Sequence, residues 1–382
     1  MPGPFFSVII LLFQVLFVHC EKFRNEKFRN MQNPFKFGSL VDGEYFTDRK
    51  KERAFLKQII DSPNHAVIIS PRRFGKSSLV AKTLKKEERE IISLNIQSVT
   101  SSVKLAEALY RKYFVNHPVA KARHYMSHLR IIPTITVNPL TNYPEVAFMP
   151  SVNPQVVLED VFTMLEKAGA KRKLIVILDE FQDIMMLDKG LDKILRSIMQ
   201  EQKNINYILM GSQEDMMKKI FLRKKSPFYH FGSTIYLNTI PESDFSDFIE
   251  KRLPVGYAGK GITRRILDFT GCHPYYTQQL AFQVWFECQQ GISDKDVVNV
   301  SIEDIVTAHD FDYFRLWESM NNTNRQVLLK LAMGDESPLE NRELPSSTIF
   351  SALKRMVSLG ILIKNGKYVF DDPFFKLWIQ RL

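Results

Sequence analysis

The sequence predicts an α/β fold, a parallel sheet covered on both faces by helices. Two observations lead there. The runs "HAVIIS" (65–70), "REIISLNI" (89–96), "KLIVILDE" (173–180) and "INYILMGS" (205–212) are short and nearly all apolar. They alternate with helical stretches, and strands that are apolar throughout are those buried on both faces of a parallel sheet.

At 382 residues the chain suits two or three domains. Its 45% hydrophobic and 25% charged residues are those of a globular protein rather than a disordered one. The net charge of +10 is spread along the chain, with a mild excess in the first ninety residues. A solvated lysine-rich surface accounts for it, and a polyanion such as nucleic acid or an anionic membrane is the alternative. Cys20, Cys272 and Cys288 form neither a disulfide framework nor a metal-ligand spacing, which fits reduced thiols in the cytoplasm.

The N-terminus argues otherwise and is resolved as follows. "FFSVIILLFQVLFV" (5–18) falls short of the roughly 20 residues of a membrane span. No Lys or Arg precedes it, and His19 makes "VHC" a poor cleavage site. "EKFRNEKFRN" (21–30) is a perfect tandem repeat ending just before Met31. The reading adopted is that residues 1–30 are an extension and that translation starts at Met31. Export or anchoring through 5–18 is the alternative, and a membrane partner is not expected.

From Met31 an aromatic loop leads to a helix capped by Thr47 or Asp48, with Phe55, Leu56, Ile59 and Ile60 as its apolar stripe. The strand 65–70 runs through a loop into the helix "KSSLVAKTLKK", and the strand 89–96 is followed by the helix "SSVKLAEALYRKYF". Residues 116–155, with several prolines, predict an inserted β-hairpin. The helix "LEDVFTMLEKAGA" and the strands 173–180 and 205–212 complete the layer. After "STIYLNTIP" (233–241) the pattern turns helical. From about 311 come two helices and "ILIKNGKYVF", a hairpin with an Asn365-Gly366 turn, and helices before a small hairpin indicate a winged helix.

The loop "SPRRFGKS" (70–77) carries the first chemistry. It has the spacing G-x-x-x-x-G-K-[ST] of a phosphate-binding loop between strand and helix, with Ser70 at the first glycine position. Gly75 lets the backbone approach a phosphate, Lys76 reaches the β- and γ-phosphates, and the Ser77 hydroxyl suits Mg²⁺. Asp179 and Glu180, at the carboxyl end of a buried strand, suit a water-bridged Mg²⁺ and the activation of attacking water respectively. Ser212 or Gln213 could lie beside the γ-phosphate, or end the strand with no such role.

Together, "NPFKFGSLVDGEYFTDRKKE", "SPRRFGKSSL", "ILDEFQDI", "GCHPYY" and "DPFFKLW" resemble the archaeal-type ATPases also widespread in bacteria, in the STAND branch near the AAA+ ATPases. The resemblance spans nearly all of Met31 to Leu382. In that family "PRR-x-GK-[ST]" commonly follows Gly or Ser, so Ser70 is a family variant. It implies a P-loop NTPase αβα domain (AAA+-like) over 31–240, a helical lid over 241–310 and a C-terminal winged helix over 311–382. It also implies ATP and Mg²⁺ as cofactors. Ser70, Pro71, Arg72, Arg73, Phe74, Gly75, Lys76, Ser77 and Ser78 become the nucleotide loop. Ser77 and Asp179 become the metal ligands, and Lys76 and Glu180 the catalytic pair. His273 and Pro274 match the lid's G-x-H-P element, where the histidine either touches nucleotide or caps its helix, and Cys272 stands where a second glycine is common. Phe46, before Asp48 and Arg49, would pack near the base.

The activity implied is that of an ATP-driven molecular switch. DNA binding by the winged helix under ATP control and a non-hydrolysing ATP-bound scaffold are the alternatives. The terminal helix and hairpin offer only Lys354, Arg355, Lys364 and Lys367, so DNA and a protein partner stay open for that unit. An arginine finger from a homo-oligomer neighbour or another domain would complete the site, with Arg73, Arg223 and Arg252 as candidates.

Overall fold

The computed structural model describes residues 32–115, 130, 133–137, 144–148, 153–334 and 344–382. The apolar run 5–18, the tandem repeat, Cys20 and the start at Met31 lie outside them. The chain divides into two compact units. The larger comprises Leu40–Ile240 with Asn322–Asp371, and the other comprises residues 32–39, Pro241–Asn321 and Asp372–Leu382.

The larger unit contains the strands β1 (Ala66–Ile69), β2 (Ile91–Asn95), β3 (Thr134–Val137), β4 (Pro144–Ala147), β5 (Leu174–Asp179), β6 (Ile205–Gly211) and β7 (Ser233–Tyr236). Five of them form a parallel sheet in the order β2-β5-β6-β1-β7, which is the α/β architecture the apolar runs predict. Alternate residues feed opposite faces, as the twofold period of a strand requires. Val67, Ile69, Val176, Leu178 and Leu209 join one apolar layer with residues of the helices Ser102–Val115, Pro154–Gly169 and Leu191–Glu201. Ala66, Ile68, Ile175, Ile177 and Ile208 join the other, with residues of the helices Lys50–Ile60 and Lys76–Leu84. The strands β3 and β4 pair antiparallel, Thr134 opposite Ala147, as the hairpin expected within 116–155.

The helix Lys50–Ile60 departs from its expected start. Neither Thr47 nor Asp48 caps it; Arg49 holds the N-cap position at φ 61°, next to Asp48 at φ 53°. Its buried stripe is Leu56, Ile59 and Ile60, whereas Phe55 is exposed. Two successive left-handed non-glycine residues are strained. The buried Arg49 guanidinium offsets that strain by donating to Glu52 Oε1 at 3.1 Å and to the carbonyls of Phe74 and Asn238.

Further along the same unit, the helices Asn322–Ala332 and Ser346–Ser358 pack on one another and lead into β8 (Leu362–Asn365) and β9 (Lys367–Phe370). These strands pair antiparallel around Gly366 at φ 70°, with Asn365 opposite Lys367. The turn is therefore centred on one glycine rather than on the two-residue Asn-Gly pair expected.

The other unit is built from helices at Glu242–Glu250, Ile262–Thr270, Pro274–Gln289, Val297–Ala308, Asp310–Glu318 and Pro373–Ile379. The N-terminal aromatic segment packs within it. Asn33 Nδ2 donates to the Phe282 carbonyl at 3.0 Å, and Phe37 meets the Tyr275 and Phe282 rings edge-on. Its last helix is held by Trp378 Nε1 donating to Asp310 Oδ1 at 2.7 Å. Among the described residues, no helix is long and apolar enough to cross a membrane.

Candidate functional site

Parallel pairing sets the carboxyl ends of β5, β6 and β1 side by side, so the segments after Asp179, Gly211 and Ile69 emerge along one edge of the sheet. Ligands of open α/β sheets bind outside such strand ends. The structure thus brings the loop 70–77, Asp179, Glu180 and Ser212 to one place.

Within the loop, Ser70 is fully buried and its amide bonds to the Gly211 carbonyl at 3.4 Å. It is not among the residues of positive φ, so a side chain there carries no left-handed strain. This is the physical reason that serine serves at the first glycine position. Left-handed backbone falls instead at Arg73, φ 63°, and at Gly75, φ 87°, which precedes the helix Lys76–Leu84. Nothing lies within 4 Å of where a Gly75 side chain would start, so that face of the loop is open.

Lys76 begins the helix and is only 7% exposed. Its Nζ donates to the carbonyls of Ser70 at 3.3 Å and Pro71 at 3.2 Å. Burial lowers its pKa, and the charges of Glu180 and Asp179 work against that shift. A buried ammonium held by neutral carbonyls gains most from an incoming anion.

The acids differ in environment. Asp179 is raised above the usual carboxylate range, chiefly by burial, although the Glu180 amide donates to its Oδ1 at 2.9 Å. The Ser77 hydroxyl donates to Asp179 Oδ2 at 3.4 Å. For Glu180, burial acts to raise the pKa, but hydrogen bonds from Gln182 and Ser212 with the Lys76 charge outweigh it. The carboxyl is held below its usual range. Its Oε2 accepts from Gln182 Nε2 at 2.7 Å, the Ser212 hydroxyl at 2.7 Å and the Ser212 amide at 3.1 Å. Glu180 itself sits at φ 51°, bending the chain into the short 3₁₀ turn Phe181–Met186.

The other residues singled out in the sequence fall as follows. Pro71 contributes its carbonyl to Lys76, and Phe74 is buried with its carbonyl toward Arg49. Arg72 and Arg73 are exposed. The Ser78 hydroxyl accepts from the Val41 amide at 3.0 Å, tying the preceding loop to the helix. In the helical unit, His273 Nδ1 accepts from the amides of Tyr275 at 3.1 Å and Tyr276 at 3.4 Å. It therefore caps the helix Pro274–Gln289, with Pro274 at the first turn. Gly271 and Cys272 precede it at φ 58° and 57°, so a cysteine there adopts left-handed backbone. Ser212 rather than Gln213 bonds Glu180. Arg252 lies over the Phe248 ring at 3.9 Å.

Sequence reading missed Gln182 and Arg49. Gln182 is 1% exposed and positions Glu180, and the signal was an amide two residues past an acid at a strand end. Arg49 carried no signal, because its partners at Phe74 and Asn238 are remote in sequence.

Among the described residues no cluster of three or more His, Cys, Asp or Glu could hold a metal unaided. Ser77 and Asp179 form a sparser oxygen set, of the kind Mg²⁺ takes when phosphates and water supply its remaining ligands.

No protein-family model matches the chain, and no curated protein does. Solved structures do. A Walker-type ATPase of Pyrococcus abyssi superposes with a TM-score of 0.64 at 15% identity, covering 91% of this chain and 99% of that one. The Orc1 protein of Aeropyrum pernix, solved in complex with DNA, superposes with a TM-score of 0.51 at 13% identity, covering 92% and 98%. At such identities the likeness shows the fold alone, a parallel α/β sheet layered with helices.

Proposed function

We propose that the chain binds ATP and hydrolyses it with Mg²⁺, working as a nucleotide-driven molecular switch. The observation that carries this reading is Lys76. It is a buried ammonium at a helix N-terminus, inside an open loop, beside two acids of opposite pKa shift.

In this reading the loop amides from Arg72 to Ser78 and the Lys76 ammonium hold the β- and γ-phosphates. Ser77 and Asp179 would hold Mg²⁺, which when bound neutralises phosphate charge. Glu180, ionised at neutral pH, accepts a proton from water as the water oxygen bonds to the γ-phosphorus. The bridging P–O bond breaks and its electron pair leaves with ADP. Ser212 and Gln182 hold the Glu180 carboxylate in place for that transfer.

Residues 241–310 serve as the lid and 311–382 as the winged helix, with 31–240 as the ATPase domain, although by compactness 322–371 groups with 40–240, and 32–39, 311–321 and 372–382 group with 241–310. The helical content of the first and the helix–helix–hairpin order of the second support this. ATP as substrate puts the work in the cytoplasm. The same reasoning extends the STAND resemblance to a switch that reports its nucleotide state to a protein partner, alone or as a homo-oligomer.

One observation favours DNA as the partner. Lys354 shares an open groove with Lys219, Arg223, Asp215 and a Lys218 paired with Glu214 at 2.8 Å, so cations outnumber acids there and enlarge the small cationic footprint of the terminal helix and hairpin.

The test is thermal unfolding with and without MgATP. A ligand at 100 times its Kd stabilises by about 2.7 kcal/mol. The native chain should show that upward shift and Lys76→Ala should lose it. An equal shift in both would remove the loop from ATP binding.

A further inference from the structure

The helix Lys50–Ile60 opens on two left-handed non-glycine residues, Asp48 and Arg49, and such strain persists where the surroundings over-determine it. Arg49 is held in that way. It is only 4% exposed, and its fork of donors reaches three segments. Nη1 donates to Glu52 Oε1 at 3.1 Å on its own helix. Nη2 donates to the Phe74 carbonyl at 3.5 Å and to the Asn238 carbonyl. Asn238 follows Leu237, whose amide donates at 3.2 Å to the carbonyl of Ile69, the last residue of β1. The start of the phosphate loop is thus tied to the segment 237–238 directly, and its far side through Arg49.

The bond to Phe74 sets the direction of a neighbouring donor. No peptide among the described residues is cis, and a trans peptide points its C=O and the following N–H to opposite sides. With the Phe74 carbonyl drawn toward Arg49, the Gly75 N–H points away from it. Among the described residues no acceptor takes that proton. Sterics alone do not fix this plane. Glycine tolerates φ of either sign, and nothing lies within 4 Å of where a Gly75 side chain would start. Turned over, the plane would present a carbonyl oxygen where a phosphate needs a donor. The Arg49 guanidinium opposes that turn by holding the Phe74 oxygen on the buried side.

We propose that Arg49 is a positioning residue for the nucleotide, locking the Phe74–Gly75 peptide with its N–H toward the phosphates without touching them. The proposal rests on the ATPase reading above. A loop amide binds the phosphates in ground and transition states alike, so loss of the lock weakens binding and spares the rate at saturation. One hydrogen bond to a charged group corresponds to about ten- to hundredfold in affinity. Lysine does not replace Arg49, because its point charge lacks the fork that spans Glu52, Phe74 and Asn238.

The test uses the full chain with Arg49→Lys and Glu52→Ala, the second of which keeps Arg49 but removes the partner of its Nη1. Three quantities are measured: ADP affinity, KM and kcat for ATP, and the Gly75 amide signal in chain isotope-labelled at glycine nitrogen. Its loss in Gly75→Ala assigns that signal. In the native chain ADP should move it downfield as the N–H meets phosphate. In Arg49→Lys, ADP affinity should fall and KM rise by about ten- to hundredfold, while kcat stays within about threefold. The downfield shift at saturating ADP should be lost. Glu52→Ala should change in the same sense by a smaller factor, and it decides the matter where unfolding curves show that Arg49→Lys does not fold. Native ADP affinity in the folded variants would overturn the proposal and leave Arg49 a structural anchor. So would weakened affinity with a native Gly75 shift, or a fall in kcat at native KM. A native chain that fails to bind ADP would instead overturn the ATPase reading on which this one stands.

Discussion

Gly211 ends β6 with no room for a side chain. A Cβ there would lie 2.4 Å from Gln182 Oε1 and 2.4 Å from the Met217 sulfur. Met217 can yield, being flexible. Gln182 cannot yield as easily, because its amide is committed to Glu180 at 2.7 Å. Gly211→Ala should therefore destabilise by about 1–3 kcal/mol through overpacking and, by displacing Gln182, lower the hydrolysis rate more than ATP affinity. Denaturant unfolding beside ATP titration checks this, and a variant with native turnover would show that Gln182 does not position the acid. The residues of the site were unequally legible beforehand. Lys76, Ser77, Asp179 and Glu180 carry their chemistry in residue type and spacing. Gln182 and Arg49 act through contacts, Arg49 with carbonyls 25 and 189 positions away, and spacing holds no trace of these.

At the level of elements, the apolar runs gave the strands away because burial on both faces leaves no other pattern. Helix starts were harder. Asp48 and Thr47 have the right chemistry for a cap, yet the chain turns left-handed at Asp48 and Arg49 because the Arg49 guanidinium satisfies distant carbonyls. Phe55 fits the period of its helix but lies just off the buried stripe. The His273 helix allows a test of cap against nucleotide contact. His273→Asn keeps a side-chain acceptor for the amides of Tyr275 and Tyr276, whereas His273→Ala loses it. The alanine variant should lose about 1 kcal/mol of stability and the asparagine variant little. Unfolding curves decide the cap. If asparagine preserves stability but weakens ATP binding, the imidazole also touches nucleotide.

For the whole molecule, stability should depend on one buried imidazole at the far end of the sheet. His65 stacks on Phe231 at 4.6 Å, and its Nδ1 accepts from the Tyr207 amide at 3.2 Å. Burial, helped by the Arg196 charge, lowers its pKa from 6.5 to about 4. The folded chain thus keeps His65 neutral while the unfolded chain takes up a proton below about 6.5. The unfolded state binds more protons between these values, so stability falls as pH drops from about 6.5 to about 4, by at most about 3 kcal/mol. His65→Phe should flatten that part of the stability profile. An unchanged slope between variant and native chain would mean that His65 is protonated in the fold.

In the proposed mechanism Glu180 activates water on ATP held by the loop. That step is tested most directly by measuring bound nucleotide and released phosphate together in the native chain and in Glu180→Gln. Glutamine is nearly isosteric and can still meet Ser212, so ATP affinity should stay within about threefold of native while phosphate release falls by about 10²-fold or more. Native phosphate release from Glu180→Gln would contradict it, and the acid beside Ser212 would then be a structural anchor rather than the base.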